Sequence, residues 1–313
     1  MQLDLAVVIV NYNTRELLRD CLDSILASHR DFACQVCVVD NNSPDGSAAL
    51  VRENFPQVHL IESHVNGGYA YANNLGLRAM GFAPHEQPDS NSPSHPRYTL
   101  LLNPDTVLPP SALRDMLAFM DAYPDAGAAG PRLVLPNGQL DRACRRSFPT
   151  PEVAFYRLTG LSFLFPQSPR FGRYNLTFLD PDETAEVDSV VGAFMMARGK
   201  VVQQVGLLDE SFFMYGEDLD WAYRIKQAGW KVYYNADVTV LHYKEAASKG
   251  NRAIRPKTRY EFYRAMHLFY RKHYAAKMPF WFHGLVLTGL ALLGGAAVLS
   301  EVFKSLVAKR ATS

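Results

Sequence analysis

The sequence predicts an α/β fold, a parallel sheet covered by helices, and three observations predict it. Short apolar runs alternate with helical periodicity, each early run ends in polar turn-forming residues, and the chain is long enough to fill a sizeable core. It has 313 residues, 48 % of them hydrophobic and 20 % charged, which allows one large core or two smaller ones.

Taken in order, residues 5–10, 34–39, 59–63 and 98–102 read as strands, and 16–28, 47–54 and 69–80 as the helices between them. The strands end at Asn11-Tyr12-Asn13, Asp40-Asn41-Asn42-Ser43, Asn66-Gly67-Gly68 and Asn103-Pro104-Asp105. Ligands of parallel sheets bind beyond such carboxyl ends. Residues 84–96, rich in Pro, Ser and His, read as a surface insertion. The pattern loses regularity after Gly130 until a strand-like run at 187–196 and a helix at 200–205. Helical periodicity returns over 216–228 with Gly229 as C-cap, and strands follow at 231–234 and 238–243. A basic, aromatic helix is expected at 258–274.

A net charge of +1 argues against a chain-wide nucleic-acid footprint, so no nucleic-acid partner is expected. The charge is uneven, however: residues 244–277 hold ten Lys or Arg against Glu245 and Glu261, a candidate surface for phosphates or anionic lipid. Cys21, Cys34, Cys37 and Cys144 form no disulfide or zinc framework. Cys34 and Cys37, three apart on a strand, point to opposite faces, so packing and a reducing compartment are expected. The apolar run 5–10 is too short for a signal-peptide core and follows Asp4 without a basic flank.

Chemistry concentrates at a few points. Glu217, Asp218 and Asp220 follow an aromatic run and open a helix. Crowded acids beside an apolar surface can raise one pKa into the range of a base, but acids also favour a first helical turn, where Asp220 can pair with Arg224. Asp40 could hold a ribose hydroxyl or simply make an Asx-turn. Asp105 could ligate a hard divalent cation on a diphosphate or sit in a proline turn. No GxGxxG or GxxxxGK[ST] sequence is present, which disfavours dinucleotide oxidoreductases and Walker-type NTPases.

The segments Val7-Val8-Ile9-Val10-Asn11-Tyr12-Asn13, Val38-Val39-Asp40-Asn41-Asn42-Ser43, Asn66-Gly67-Gly68-Tyr69-Ala70, Leu100-Leu101-Leu102-Asn103-Pro104-Asp105 and Tyr215-Gly216-Glu217-Asp218-Leu219-Asp220 stand in an order that resembles glycosyltransferase family 2, in its rhamnosyltransferase-like branch. The resemblance covers roughly residues 5 to 245. It implies a GT-A fold over 1–245, with a nucleotide-sugar half at about 1–130 and an acceptor half at about 131–245. It also implies inverting transfer from a nucleotide-diphosphate sugar, first L-rhamnose, to a hydroxyl of a glycan or polyprenyl-linked acceptor in cell-surface polysaccharide synthesis. By the same analogy Asn11, Asn13, Asp40, Asn66, Gly67, Gly68 and Asn103 bind the donor. Asp105 resembles the surviving ligand of the family's DxD motif, with Asn103 in place of the first acid. His242 resembles a late histidine that completes a Mg²⁺ or Mn²⁺ site, although a strand-end histidine also serves packing or hydrogen bonding. Asp218 resembles the base, supported by Glu217 and Asp220, and Trp221 packs beneath the site. Gly192 and Ala193 resemble a turn approaching donor and acceptor sugars, or form a plain core strand. A non-catalytic nucleotide-sugar-binding or scaffold protein and a nucleotidyltransferase are the alternatives.

The end of the chain adds a membrane expectation. Residues 278–300 carry no formal charge over 23 positions, long enough for a bilayer core, and follow the basic 246–277 region, with a tail at 301–313. The same run could instead lie in the interface or pack on the enzyme. If it spans, the excess of basic residues before it places the catalytic part at the cytoplasmic face.

Overall fold

The computed structural model of the chain describes residues 3–28, 31–82, 95–244 and 255–310. The first half follows the expected alternation: β1 (Leu5–Asn11), α1 (Arg15–Ser28), β2 (Cys34–Asp40), α2 (Ser47–Asn54), β3 (His59–Glu62), α3 (Tyr69–Ala79) and β4 (Tyr98–Leu102). Then come β5 (Thr106–Val107), α4 (Ala112–Ala122), β6 (Ala126–Val134), α5 (Pro151–Leu158), α6 (Leu161–Leu164), β7 (Ala185–Val187), β8 (Phe194–Arg198) and α7 (Gly199–Val205). The chain closes with α8 (Glu217–Gln227), β9 (Lys231–His242), α9 (Arg255–His273) and α10 (Phe280–Arg310).

The strands form one sheet in the order β3-β2-β1-β4-β8-β6-β9-β5, with β7 paired to β9. β1 lies fully buried between β2 and β4, both parallel to it, so its apolar run needs no alternation. The register Asn11↔Asp40 brings two of the expected donor-site residues side by side.

The sheet is mixed rather than parallel throughout. β8 runs antiparallel to both β4 and β6, while β6 and β9 are parallel. The expected strand 187–196 is two strands separated by a turn, because Gly192 N–H donates to Asp218 instead of to a ladder partner. The expected strands 231–234 and 238–243 are one strand, β9, whose register against β6 slips between Pro131 and Arg132. β6 escaped the pattern because its first half is Ala, Gly and Pro. Small residues are required there: a Cβ on Gly127 would come within 2.6 Å of Trp230, and one on Gly130 within 2.8 Å of Val190. The insertion expected at 84–96 lies outside the described residues except for His95 and Pro96.

Cys34 is half-buried, Cys37 is buried, and both are free thiols, as expected of packing residues. The helix expected at 258–274 is α9, and it does more than precede an apolar segment. Ala265 and Phe269 pack with Phe212 and Leu219 in a small second core. α10 then extends the apolar run, and its span Phe280–Lys304 is long and apolar enough to cross a membrane, with a mean hydropathy of 1.9 and 6 % of its most apolar window buried.

Candidate functional site

A cavity of about 540 Å³ opens at the carboxyl ends of the central strands. It brings together Asn103, Asp105, Gly192, Ala193, Glu217, Asp218 and His242 from segments far apart in sequence. Asn11, Asn13, Asp40, Asn66, Gly67 and Gly68 form a separate cluster at the ends of β1, β2 and β3.

That cluster is a hydrogen-bonded set of loops. Asn11 Nδ2 donates to Asp40 Oδ1 at 2.9 Å and to Ser43 Oγ at 3.1 Å, while Asp40 Oδ2 accepts from Ser43 N at 2.9 Å. Asn41 bridges to the next loop, donating to Asn66 Oδ1 at 3.0 Å and accepting from Gly67 N at 3.1 Å. Asn13 and Asn42 adopt left-handed backbone, which asparagine tolerates. The smallness of Gly67 and Gly68 serves the protein's own packing. A Cβ there would meet the Tyr71 ring at 2.2 Å or the Phe213 carbonyl at 2.3 Å.

On the cavity's floor, Asp105 and His242 face each other across β5 and β9, which pair at Thr106↔His242. His242 Nε2 lies 3.3 Å from Asp105 Oδ1, and its Nδ1 lies 3.0 Å from Asp141 Oδ2. Lys244 Nζ binds the other Asp141 oxygen at 2.5 Å. Burial works against a charged imidazole, but its hydrogen bonds to the Asp105 and Asp141 carboxylates outweigh it and raise His242 to about 9. Burial likewise opposes the Asp141 charge, and His242 and Lys244 outweigh it, holding that carboxyl well below its usual range.

The acidic turn divides into three environments. Gly216, at φ +84, turns the chain into α8, and the N-terminal helix dipole favours the acids that follow. Asp218 Oδ2 accepts from Arg146 Nη2 at 2.6 Å and from Gly192 N at 3.0 Å. Glu217 lines the same cavity, and its Oε2 is buried without a hydrogen-bond partner among the described residues. Burial first, and the Asp218 charge second, push its carboxyl well above the usual range. Asp220 turns away from the cavity. Fully buried, it pairs with Arg224 at 2.9 Å and with Lys272 and His273 of α9 at 2.8 Å each. Trp221 is buried beneath, with its indole N–H on the Gly206 carbonyl.

Sequence reasoning missed Arg146, Asp141 and Tyr69. Tyr69 donates its hydroxyl to the Gly192 carbonyl at 2.8 Å, tying the Asn66-Gly67-Gly68 turn to the cavity. The Arg145-Arg146 pair in the irregular middle of the chain was the signal available, but its partner lies 72 positions away. Phe262, Ala265, Met266 and Phe269 of α9 line the cavity, as do Ala154 and Arg157 of α5. The cavity therefore sets carboxylates, an imidazole and an arginine beside an apolar wall.

The comparisons agree with this architecture. A family model described as Glycosyltransferase like family 2 matches residues 3–260. The chain is 30 % identical over 241 residues to the N-acetylglucosaminyl-diphospho-decaprenol L-rhamnosyltransferase of Mycobacterium tuberculosis, covering 77 % of this chain and 76 % of that one. It is 23 % identical over 244 residues to rhamnosyltransferase WbbL of Escherichia coli, covering 76 % and 82 %. Among solved structures, the mannosyltransferase PcManGT of Pyrobaculum calidifontis, in complex with GDP-Man and Mn²⁺, superposes with a TM-score of 0.55 at 18 % identity, covering 100 % of this chain and 80 % of that one. The ordered strand-end motifs and the match over most of the length agree, and the protein therefore belongs to glycosyltransferase-like family 2 as a glycosyltransferase of GT-A fold.

Proposed function

We propose that the protein moves a sugar, first L-rhamnose, from a nucleotide-diphosphate donor to a hydroxyl of a polyprenyl-linked or glycan acceptor in cell-surface polysaccharide synthesis. The observation that carries this reading is the meeting, in one cavity, of the Asp105–His242 pair and the Glu217-Asp218 turn. The relative from M. tuberculosis, whose acceptor and sugar are in its name, supports the choice of substrates.

The residues present fit a hard divalent cation, Mg²⁺ or Mn²⁺. Asp105 Oδ1 is buried 3.3 Å from His242 Nε2, a carboxylate oxygen and an imidazole nitrogen side by side, and Asp141 orients the ring from its other nitrogen. No group of three or more His, Cys, Asp or Glu stands ready to hold a metal among the described residues. Two protein ligands suffice where phosphate and water oxygens fill the other positions. When bound, the ion supplies positive charge beside the departing diphosphate.

In the transfer, the acceptor oxygen attacks the anomeric carbon, the bond to the diphosphate oxygen breaks, and the acceptor proton passes to Asp218. A single displacement inverts the anomeric centre. Arg146 and Gly192 N–H hold the Asp218 carboxylate in one orientation. Glu217 borders Asp218 in the cavity, and Asp220, turned away and paired with Arg224, Lys272 and His273, fixes the helical turn that carries both. The Asn11, Asn13, Asp40, Asn66, Gly67 and Gly68 loops and Asn103 take the nucleotide, and Gly192 and Ala193 border the reacting sugars.

The apolar α10 and the basic residues before it support placement at the cytoplasmic face of the cell membrane, against anionic lipid. Deleting residues 278–313 is expected to weaken membrane binding, and a folded, equally membrane-bound product would refute the anchor. A donor panel with lipid-linked acceptors, Mg²⁺ or Mn²⁺, and detection of the released nucleotide tests the activity. Free nucleoside diphosphate supports glycosyl transfer, whereas pyrophosphate would indicate a nucleotidyltransferase.

A further inference from the structure

Both α9 and α5 line the active-site cavity, and the α5 segment carries an apolar surface that the transfer reaction does not use. α6 consists of Leu161-Ser162-Phe163-Leu164, and none of its residues is buried. Phe163 and Leu164 are 68 % and 71 % exposed, and Phe155 of α5 and Phe165 just after α6 are 57 % and 51 % exposed. Four large apolar side chains left in water on one short hairpin exceed the scattered single exposures that a surface normally shows.

The segment is also built and basic. Between residues 151 and 176 the charged side chains are Arg157, Arg170 and Arg173 against Glu152 alone. Arg157 stacks over Tyr174 at 4.2 Å and donates to Asn175 Oδ1 at 3.0 Å, which fastens α5 to the turn below it. Arg170 lies over the rings of Tyr156 and Phe171, and Phe171 packs against Phe165 at 5.5 Å. The result is an aromatic tip with guanidinium groups around it, the composition that seats in the headgroup region of an anionic bilayer.

Its position gives the tip a use. Ala154 and Arg157 line the cavity, while Phe155 between them faces water. α9, which also lines the cavity, leads into α10, whose Phe280 and Trp281 are 88 % and 62 % exposed. We propose that the α5–α6 tip, Phe155 with Phe163-Leu164-Phe165 and the neighbouring arginines, is a second membrane contact, independent of α10, that seats in anionic lipid. The cavity mouth is thereby held against the bilayer between two lipid-facing elements. Lipid contact by the tip does not depend on the proposed reaction; only its use, admitting a lipid-linked acceptor, rests on that reading.

The test uses the full chain with Leu164→Cys in a Cys34→Ser background, labelled with an environment-sensitive fluorophore. Vesicles of phosphatidylcholine with phosphatidylglycerol are expected to give a blue-shifted, several-fold brighter emission, weaker with phosphatidylcholine alone. Unchanged emission on the mixed vesicles, whether or not the protein co-sediments through α10, overturns the proposal. An emission change that follows protein concentration without vesicles also overturns it, since the tip would then cover a second copy. Replacing Phe163, Leu164 and Phe165 together by Ser is expected to lower transfer to a vesicle-embedded lipid acceptor by about tenfold, while transfer to the same sugar on a short water-soluble carrier and the thermal midpoint stay unchanged. Equal loss on both acceptors would assign the tip a folding role instead. Loss of transfer in the wild type would count against the reaction, not against the fluorescence result.

Discussion

In the proposed metal site, the Asp105–His242–Asp141 row would make metal binding a competition with a proton. With no metal bound, two carboxylates flank His242 and hold its pKa at about 9. A cation can use Nε2 only after that proton leaves. At pH 7 the proton must be displaced from a group about two units below its pKa, so the apparent affinity for Mn²⁺ is expected to be about a hundredfold weaker than at pH 9. Between those limits it should rise by about one decade per pH unit. Calorimetric titration of the apo protein with Mn²⁺, in buffers of different protonation enthalpy, measures both the affinity and the release of about one proton. His242→Gln should flatten the profile. The apo protein's stability should follow the opposite sense: a folded pKa raised above the usual 6.5 contributes stability present in full below about pH 6.5, and lost as pH rises through about 9. An Mn²⁺ affinity independent of pH between 6 and 8, or a His242→Gln variant with the wild-type slope, would refute the competition.

Asp218→Asn should lower the transfer rate by about 10³-fold while donor binding, followed by titration with the nucleotide sugar, is retained; unchanged turnover would refute its role as base. Arg146→Met leaves the Asp218 carboxylate buried without its cation and should cost about 3–5 kcal/mol, seen as a lower midpoint in thermal or urea unfolding. Asp220 has its carboxyl lowered to about 2, burial being outweighed by His273, Arg224 and Lys272. Its stabilisation is therefore present above the usual carboxylate pKa near 4 and lost as pH falls through about 2. Asp220→Asn should remove about 2 kcal/mol at neutral pH and flatten the acid limb of the stability profile. Gly68→Ala places a Cβ 2.3 Å from the Phe213 carbonyl at φ +90, and should destabilise the turn by about 1–3 kcal/mol, with weaker donor binding.

Most of the first half of the fold was legible because its signals are local. β1, β2 and β4 are unbroken apolar runs with polar ends, and α1 and α3 carry helical spacing between them. The second half hides its elements in composition. β6 opens with small residues because Trp230, Ile225 and Val190 press against it, and no β-branched pattern announces such a strand. The 188–193 turn looked like strand because Val190, Val191 and Ala193 are apolar, although Val190 and Ala193 are buried in the core and Val191 and Ala193 line the cavity. The site was half legible for a related reason. Asp105, Asp218 and His242 stand at element ends, where position along the chain predicts position in space. Arg146 and Asp141 act through partners 72 and 101 residues away, and local pattern contains nothing of such pairing.

The three acids of the 217–220 turn show why a choice between a structural and a chemical reading was too coarse. On one helical turn, Asp218 is fixed by a cation and a backbone amide, Glu217 is desolvated with an open oxygen, and Asp220 is neutralised by three basic groups. Asp220 satisfies the structural reading, since it closes on Arg224 one turn later. It also reaches Lys272 and His273, so the helix that leads into α10 is bolted to the turn that carries the acids. Glu217 and Asp218 both face the cavity, one with a desolvated open oxygen and the other held by Arg146 and the Gly192 N–H, so the chemical reading is the one to test there. The same geometry gives α9 two duties, an apolar wall for the cavity and a counter-charge for Asp220. Displacing α9 would therefore disturb the acidic turn and the cavity wall together.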